Sequence, residues 1–276
     1  MYIASIGLLY LFSEGFFILY ERKKFRSFIT VILFVIIISF SFLTYERCKV
    51  WKDSLSLWND VLSKYPNAIQ AYANRGNIYR EKGEYNKALS DFTEAIRLKP
   101  YKAEFYATRG SIYTELKEYD KAMDDLNHAL NLKPDLSGAY LNRGNLYRLK
   151  GDNNKAISDY SEALKFKPDY AGALYNRAII YDMAGDYNKA IADLTQAIKY
   201  KTDYVEAYQD RGNIYYKTGN HDKALNDFNR LLAMNPGSAR GYIMRGNIYT
   251  DTNRYSEALM DFNKAIEIEP RSIEAF

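Results

Sequence analysis

The six prolines constrain this chain more than any other feature. They stand at 66, 100, 134, 168, 236 and 270, so successive gaps are 34, 34, 34, 68 and 34 residues. Thr202 holds the place skipped by the double gap. A proline cannot continue a helical hydrogen-bond ladder, so each marks the end of a helix. A fixed period of this size means units stacked in a row, each packed on its neighbours, in place of one central core.

The rest of the pattern keeps the same frame. With the proline as repeat position 32, position 8 holds Gly76, Gly110, Gly144, Ala178, Gly212 and Gly246. Position 20 is alanine in all six copies, Ala88 to Ala258, and position 11 is tyrosine in all six, Tyr79 to Tyr249. Position 4 is tyrosine except at Leu174, position 24 is Phe, Leu or Tyr, and position 27 is alanine except at Leu231. Spacings of three, four and seven put positions 4, 8 and 11 on one helix stripe and 20, 24 and 27 on another. Small residues at 8, 20 and 27 let two helices approach, and large ones at 4, 11 and 24 fill the space between. Gly83, Gly151, Gly185 and Gly219 at position 15 suit the end of the first helix. At positions 4, 11, 17 and 24 we count 16 of the 27 tyrosines, so the aromatic excess reads as packing.

This pattern resembles the tetratricopeptide repeat in length, in the small residues at 8, 20 and 27, and in the proline at 32. The resemblance covers residues 67–276 as six repeats (67–100, 101–134, 135–168, 169–202, 203–236, 237–270) and a partial seventh at 271–276. It implies an all-α fold, an α-solenoid of helix pairs, that binds a protein or peptide on the concave face formed by positions 2, 5, 9, 12 and 13 of the first helices. On that face we single out Asn77, Asn145, Asn213 and Asn247 at position 9, because an amide both donates to and accepts from an extended backbone. Arg80, Arg148 and Tyr216 at position 12 and Tyr175 at position 5 complete the candidate set. Leu141, Leu149, Ile179 and Met183 make an apolar patch there with Tyr175. The carboxylate clamp of the cochaperone members needs lysine at position 5; none occurs here, and that mode is not expected.

Position 7 is arginine and position 23 aspartate in all six repeats, Arg75 with Asp91 through Arg245 with Asp261. A basic ladder for an acidic ligand is one reading. Strict co-occurrence points instead to a planar, bidentate pair bracing the two helices.

Charge and hydropathy set the start of the chain apart. Net charge is +4, of which residues 1–66 carry +3 (8 basic, 5 acidic) and residues 67–276 carry +1 (30 and 29). The array therefore lacks a basic stripe for nucleic acid. Met1–Tyr20 is apolar except for Glu14, and Ser27–Tyr45 is uncharged throughout. Both are long enough to span a bilayer. The loop at 21–27 between them holds Arg22, Lys23, Lys24 and Arg26, which favours a cytoplasmic loop, a two-helix transmembrane hairpin over 1–45 and an extracytoplasmic array. Counting back from Pro66 puts Trp51, Ser54, Trp58 and Val61 at positions 17, 20, 24 and 27, so residues 46–66 read as a degenerate half-repeat with its helix at Lys52–Lys64. No Gly- or Ser-rich linker separates it from the membrane block, which implies a rigid mount.

Catalytic signals are missing from the sequence pattern. Cys48 is the lone cysteine, His128 and His221 lie in different repeats, and there is no phosphate-binding glycine loop or nucleophile elbow. No enzyme activity, cofactor or metal is expected. The segment MYIASIGLL followed by a hairpin and WKDSLSLW resembles the C-terminal part of transmembrane, tetratricopeptide-repeat O-mannosyltransferase-like glycosyltransferases. That resemblance implies the alternative of a non-catalytic, acceptor-binding tail, since the family's catalytic acidic loops have no counterpart here. The unflanked start at Met1 and the opening of a seventh repeat in RSIEAF fit a chain that continues beyond both ends.

Overall fold

The computed structural model describes residues 26–50 and 52–270, together with Glu14, Phe17 and Tyr20. Side chains of 46–50 are outside that description, as is nearly all of the first apolar block and of the basic loop, so the hairpin expectation falls largely on residues outside it. Among the described residues the chain forms fourteen helices and no strand. They fall into two compact units, 1–82 and 83–276, taken here in turn.

In the first unit α1 runs Arg26–Val50, α2 Ser54–Lys64 and α3 Ile69–Glu81. Over Arg26–Tyr45, 20 residues, α1 is long and apolar enough to cross a membrane. That length spans about 30 Å, one hydrocarbon core. Its large side chains, among them Phe28, Phe34, Ile37, Phe40 and Leu43, are exposed in the isolated chain. Asp53 caps α2 by accepting from the Ser56 backbone N–H at 2.7 Å, so this helix starts two residues later than its sequence pattern suggests. Arg75 Nη1 on α3 donates to Asn59 Oδ1 on α2 at 2.8 Å.

The second unit begins with α4 (Tyr85–Leu98) and continues as five helix pairs. These are α5 (Ala103–Glu115) with α6 (Tyr119–Leu132), α7 (Ser137–Leu149) with α8 (Asn153–Phe166), and α9 (Ala171–Met183) with α10 (Tyr187–Tyr200). The last two are α11 (Val205–Lys217) with α12 (His221–Met234), and α13 (Ala239–Asp251) with α14 (Tyr255–Ile268). Every pair turns at position 15 through a left-handed residue. Gly83, Gly151, Gly185 and Gly219 have φ of 73–81°, while Lys117 and Asn253 take 62° and 59° at the same place. Glycine adopts this conformation without the Cβ clash that penalises lysine.

Close approach at positions 8, 20 and 27 follows the sequence pattern. Ala122, Ala129, Ala156, Ala163, Ala190, Ala197 and Ala224 are fully buried. A Cβ at Gly144 would lie 2.7 Å from Tyr160 Cε1, so glycine here is what admits the buried ring at position 24. Positions 4 and 11 pack against the buried clusters, as the pattern suggests, without filling their deepest part. Their tyrosines are half-buried and flank the position-7 arginine: the Arg143 guanidinium lies 5.6 Å from the Tyr140 ring centroid and 6.0 Å from that of Tyr147. The deep core is filled instead by position 10, where Ile112, Leu146, Ile180, Ile214 and Ile248 are at most 2% exposed.

The arginines themselves form a repeating stitch. In Arg109, Arg143, Arg177, Arg211 and Arg245, Nε and Nη2 donate to the two carboxylate oxygens of Asp125, Asp159, Asp193, Asp227 and Asp261 at 2.7–2.9 Å. Nη1 of each reaches back to position 25 of the preceding repeat, to Thr93, Asn127, Ser161, Thr195 and Asn229. One side chain thus ties two helices of its own repeat to the repeat before. The bond to aspartate holds the Arg109, Arg143, Arg177 and Arg245 guanidiniums above their usual pKa.

Candidate functional site

The first helices of the second unit, α5, α7, α9, α11 and α13, are joined along one face by hydrogen bonds across each repeat boundary. Asn142 Nδ2 donates to the Ala107 carbonyl at 3.2 Å, and Asn176 Nδ2 to Asn145 Oδ1 at 2.8 Å. Tyr175 Oη donates to Asp210 Oδ2 at 2.8 Å, and Tyr216 Oη to Asp251 Oδ2 at 2.7 Å. Lys217 Nζ pairs with Asp182 at 3.1 Å.

These bonds divide the candidate residues. Asn145 Oδ1 is saturated, since it also accepts from Tyr160 Oη at 2.8 Å. The hydroxyls of Tyr175 and Tyr216 are committed to neighbouring carboxylates. Asn247 stands half-buried on α13, and Asn77 and Arg80 half-buried on α3 in the first unit. Two candidates carry buried polar atoms without a partner: Arg148 Nε and Asn213 Oδ1. A third such atom, His221 Nδ1, lies at the start of α12, where the ring centroid of His221 is 5.9 Å from that of Tyr216. Leaving such a group unpaired costs roughly 1–3 kcal/mol.

The reason Asn213 lacks a donor is visible in the repeat frame. The groups that serve Asn145 are Tyr160 at position 24 and Asn176 at position 6 of the next repeat. At the corresponding places around Asn213 stand Phe228 and Met244, neither of which donates. Arg148 borders a cavity of about 260 Å³ lined also by Ser111, Thr114, Glu115, Asn142, Asn145 and Leu149. Beyond it the face turns acidic. Burial pushes the Asp210 carboxyl up, with Asp182 adding to the push and the Tyr175 bond working against it. Burial also raises the Tyr175 hydroxyl, and Tyr204, whose ring centroid is 4.9 Å from that of Tyr175, is pushed up to about 12. In the apolar patch, Leu149 and Met183 are exposed (52% and 70%), and Leu141, Tyr175 and Ile179 are half-buried.

Position 6 escaped the sequence reading. Its Asn142, Asn176 and Asp210 make three of the boundary bonds, and its polar character was a usable signal.

With this geometry in view, models of the tetratricopeptide repeat match residues 62–102, 183–248 and 239–272, and a TPR repeat model matches 110–151 and 144–184. The chain belongs to the tetratricopeptide-repeat family. Its fold is similar to that of YrrB, described as a TPR protein with an unusual peptide-binding site, at 24% identity over 67% of this chain and 95% of that one, with TM-score 0.58. It is similar to MamA at 28% identity over 59% of this chain and 95% of that one, with TM-score 0.55. PilF of Pseudomonas aeruginosa shares the fold at 15% identity over 75% and 95%, with TM-score 0.68. No curated protein matches the chain. The matching family models are all of the repeats and lend no support to the glycosyltransferase resemblance, whose segment Met1–Leu9 lies outside the described residues.

Proposed function

We propose that this chain is a membrane-anchored scaffold that holds an extended protein segment against the first helices of its repeats. The observation that carries the reading is the pair of buried, unpartnered polar atoms on that face, Arg148 Nε and Asn213 Oδ1, among first helices whose other boundary groups are bonded to each other. A bound segment has acceptors to offer Arg148 and backbone N–H donors to offer Asn213. Exposed Leu149 and Met183 offer it an apolar foothold. On the second unit Asn145, Arg148, Tyr175, Asn213, Tyr216 and Asn247 form the proposed contact set, with Tyr175 and Tyr216 acting through their ring faces because their hydroxyls are engaged; Asn77 and Arg80 are proposed contacts of the first unit taken by itself. YrrB, with its peptide-binding site, is in keeping with this use of the fold.

The anchor is α1. Its 19 uncharged residues after Arg26, with large side chains exposed, suit lipid. The Asn59–Arg75 bond repeats the position-25 to position-7 stitch, which supports reading 46–66 as a degenerate half-repeat following the anchor. The basic loop before α1 favours an extracytoplasmic array.

Two experiments test this. After alkaline carbonate extraction the full chain stays with the membrane; release into the supernatant contradicts the anchor. An impermeant maleimide labels Asp124→Cys in whole cells; protection from the reagent contradicts the orientation.

A further inference from the structure

We infer that the cavity bordered by Arg148 is a subsite for a carboxylate carried by the bound segment. The inference rests on the groove reading above and names the chemistry of one of its contacts.

The position-7 arginines of the second unit are all used in one way. At position 7 the Nε and Nη2 edge grips a carboxylate side-on, five times over, at 2.7–2.9 Å. Arg148 carries the same edge, with Nε buried and no acceptor on it. The Tyr160 hydroxyl interacts with the Arg148 guanidinium, but no neighbour supplies an acceptor to Nε itself. Asn145 Oδ1 is taken by Tyr160 and Asn176, and Asn142 is engaged with the Ala107 carbonyl. Thr114 Oγ1 donates to the Gly110 carbonyl at 3.0 Å. Glu115 lines the cavity but is exposed, at position 13 near the end of α5, and forms no ion pair with Arg148 within 4 Å.

A volume of about 260 Å³ holds a carboxylate and the carbons that bear it. The lining offers one cation, so a singly charged, planar acceptor fits better than a doubly charged phosphate, which would face Glu115 with one charge uncompensated. The acidic stretch formed by Asp182, Asp210 and Asp251 repels the same group, so it places the carboxylate toward repeats 2 and 3 and fixes the direction of the segment.

The test uses the full chain in detergent and a displayed library of random twelve-residue peptides. Selection by the wild type is expected to enrich Asp or Glu at one fixed position of the bound peptides. Against one selected peptide, Arg148→Glu lowers affinity by about tenfold or more and Arg148→Gln by less, in line with loss of a charge-assisted bond. Glu115→Gln raises affinity by about threefold by removing a like charge at the rim. Replacing the acidic residue by phosphoserine weakens binding, and replacing it by lysine abolishes it in the wild type but is tolerated by Arg148→Glu. Far-ultraviolet circular dichroism of each variant separates misfolding from lost contact, and Arg148→Gln, which keeps the side-chain stem, stands in should Arg148→Glu unfold. Peptides without an acidic position, or an Arg148→Gln variant that binds as wild type does, overturn the subsite while leaving the groove in place. A preference for phosphoserine overturns the carboxylate assignment. Failure to select any peptide overturns the groove reading itself.

Discussion

Repeats 3 and 5 share a frame and differ in what they leave free. Both put asparagine at position 9, and both place an aromatic ring in the core at position 24. In repeat 3 that ring is Tyr160, whose hydroxyl, with Asn176, saturates Asn145. In repeat 5 it is Phe228, Met244 takes the place of Asn176, and Asn213 Oδ1 is left buried without a donor. The frame therefore secures packing, whereas groups contributed across a repeat boundary decide which polar atoms remain for a ligand. A small repertoire of substitutions at positions 6 and 24 is enough to change the binding face without touching the core.

The largest expected effect is on what the two repeats share. Asp227 is 1% exposed and Asp159 5%, and each holds an arginine with both oxygens. Asp227→Ala should cost about 4 kcal/mol and Asp159→Ala about 3, because each strands a partly buried guanidinium. Chemical denaturation measures both, and losses under 1 kcal/mol would mean the stitch is decorative.

What separates the repeats should give a smaller, opposite effect. Phe228→Tyr places a hydroxyl where Tyr160 has one, and is expected to stabilise by about 1 kcal/mol through the bond to Asn213. It should also weaken ligand binding, since the acceptor is then taken. Destabilisation, with binding unchanged, would show that Asn213 is not the acceptor the comparison makes it.

At position 15 repeats 3 and 5 both have glycine, and repeat 2 has Lys117 at φ 62°. Lys117→Gly should therefore raise the unfolding free energy, read by chemical denaturation, by roughly 0.5–1 kcal/mol. The smallest effect concerns pH. Burial pushes the Glu104 carboxyl up, but its own helix N-terminal backbone N–H, Lys133 and Lys102 outweigh burial and bring it down to about 2. A depressed folded pKa means the contribution is present above the ordinary value and lost as pH falls from about 4.5 through 2. Glu104→Gln should flatten stability over that window slightly, since the pair is solvent-screened.

Much of this was legible in sequence and some was not. The prolines, the position-15 glycines and the Arg–Asp co-occurrence are legible from identity alone, because each is a local requirement that recurs in most or all of the six repeats. The third bond of each arginine is not legible although position 25 is always Asn, Thr or Ser, because the accepting residue belongs to the preceding repeat. Tyrosines at positions 4 and 11 pack against the core and also flank the guanidinium, a second role that the pattern does not reveal, and Ile or Leu at position 10 fills the deepest part. The commitments of Tyr175 and Tyr216 rest on Asp210, the one acid at position 6, and on Asp251 at position 13, where acid and apolar residues mix, so no strict periodicity announces them.

The central claim is that partners bind the first-helix face. Site-specific photo-crosslinking in cells tests it most directly, with a photoreactive side chain placed in turn at Ile179 and Asn247 on first helices, and at Asp124 and Asn226, exposed on second helices. The account predicts a discrete protein adduct from Ile179 and Asn247 and none from the second-helix positions. Adducts from Asp124 or Asn226 alone would contradict it.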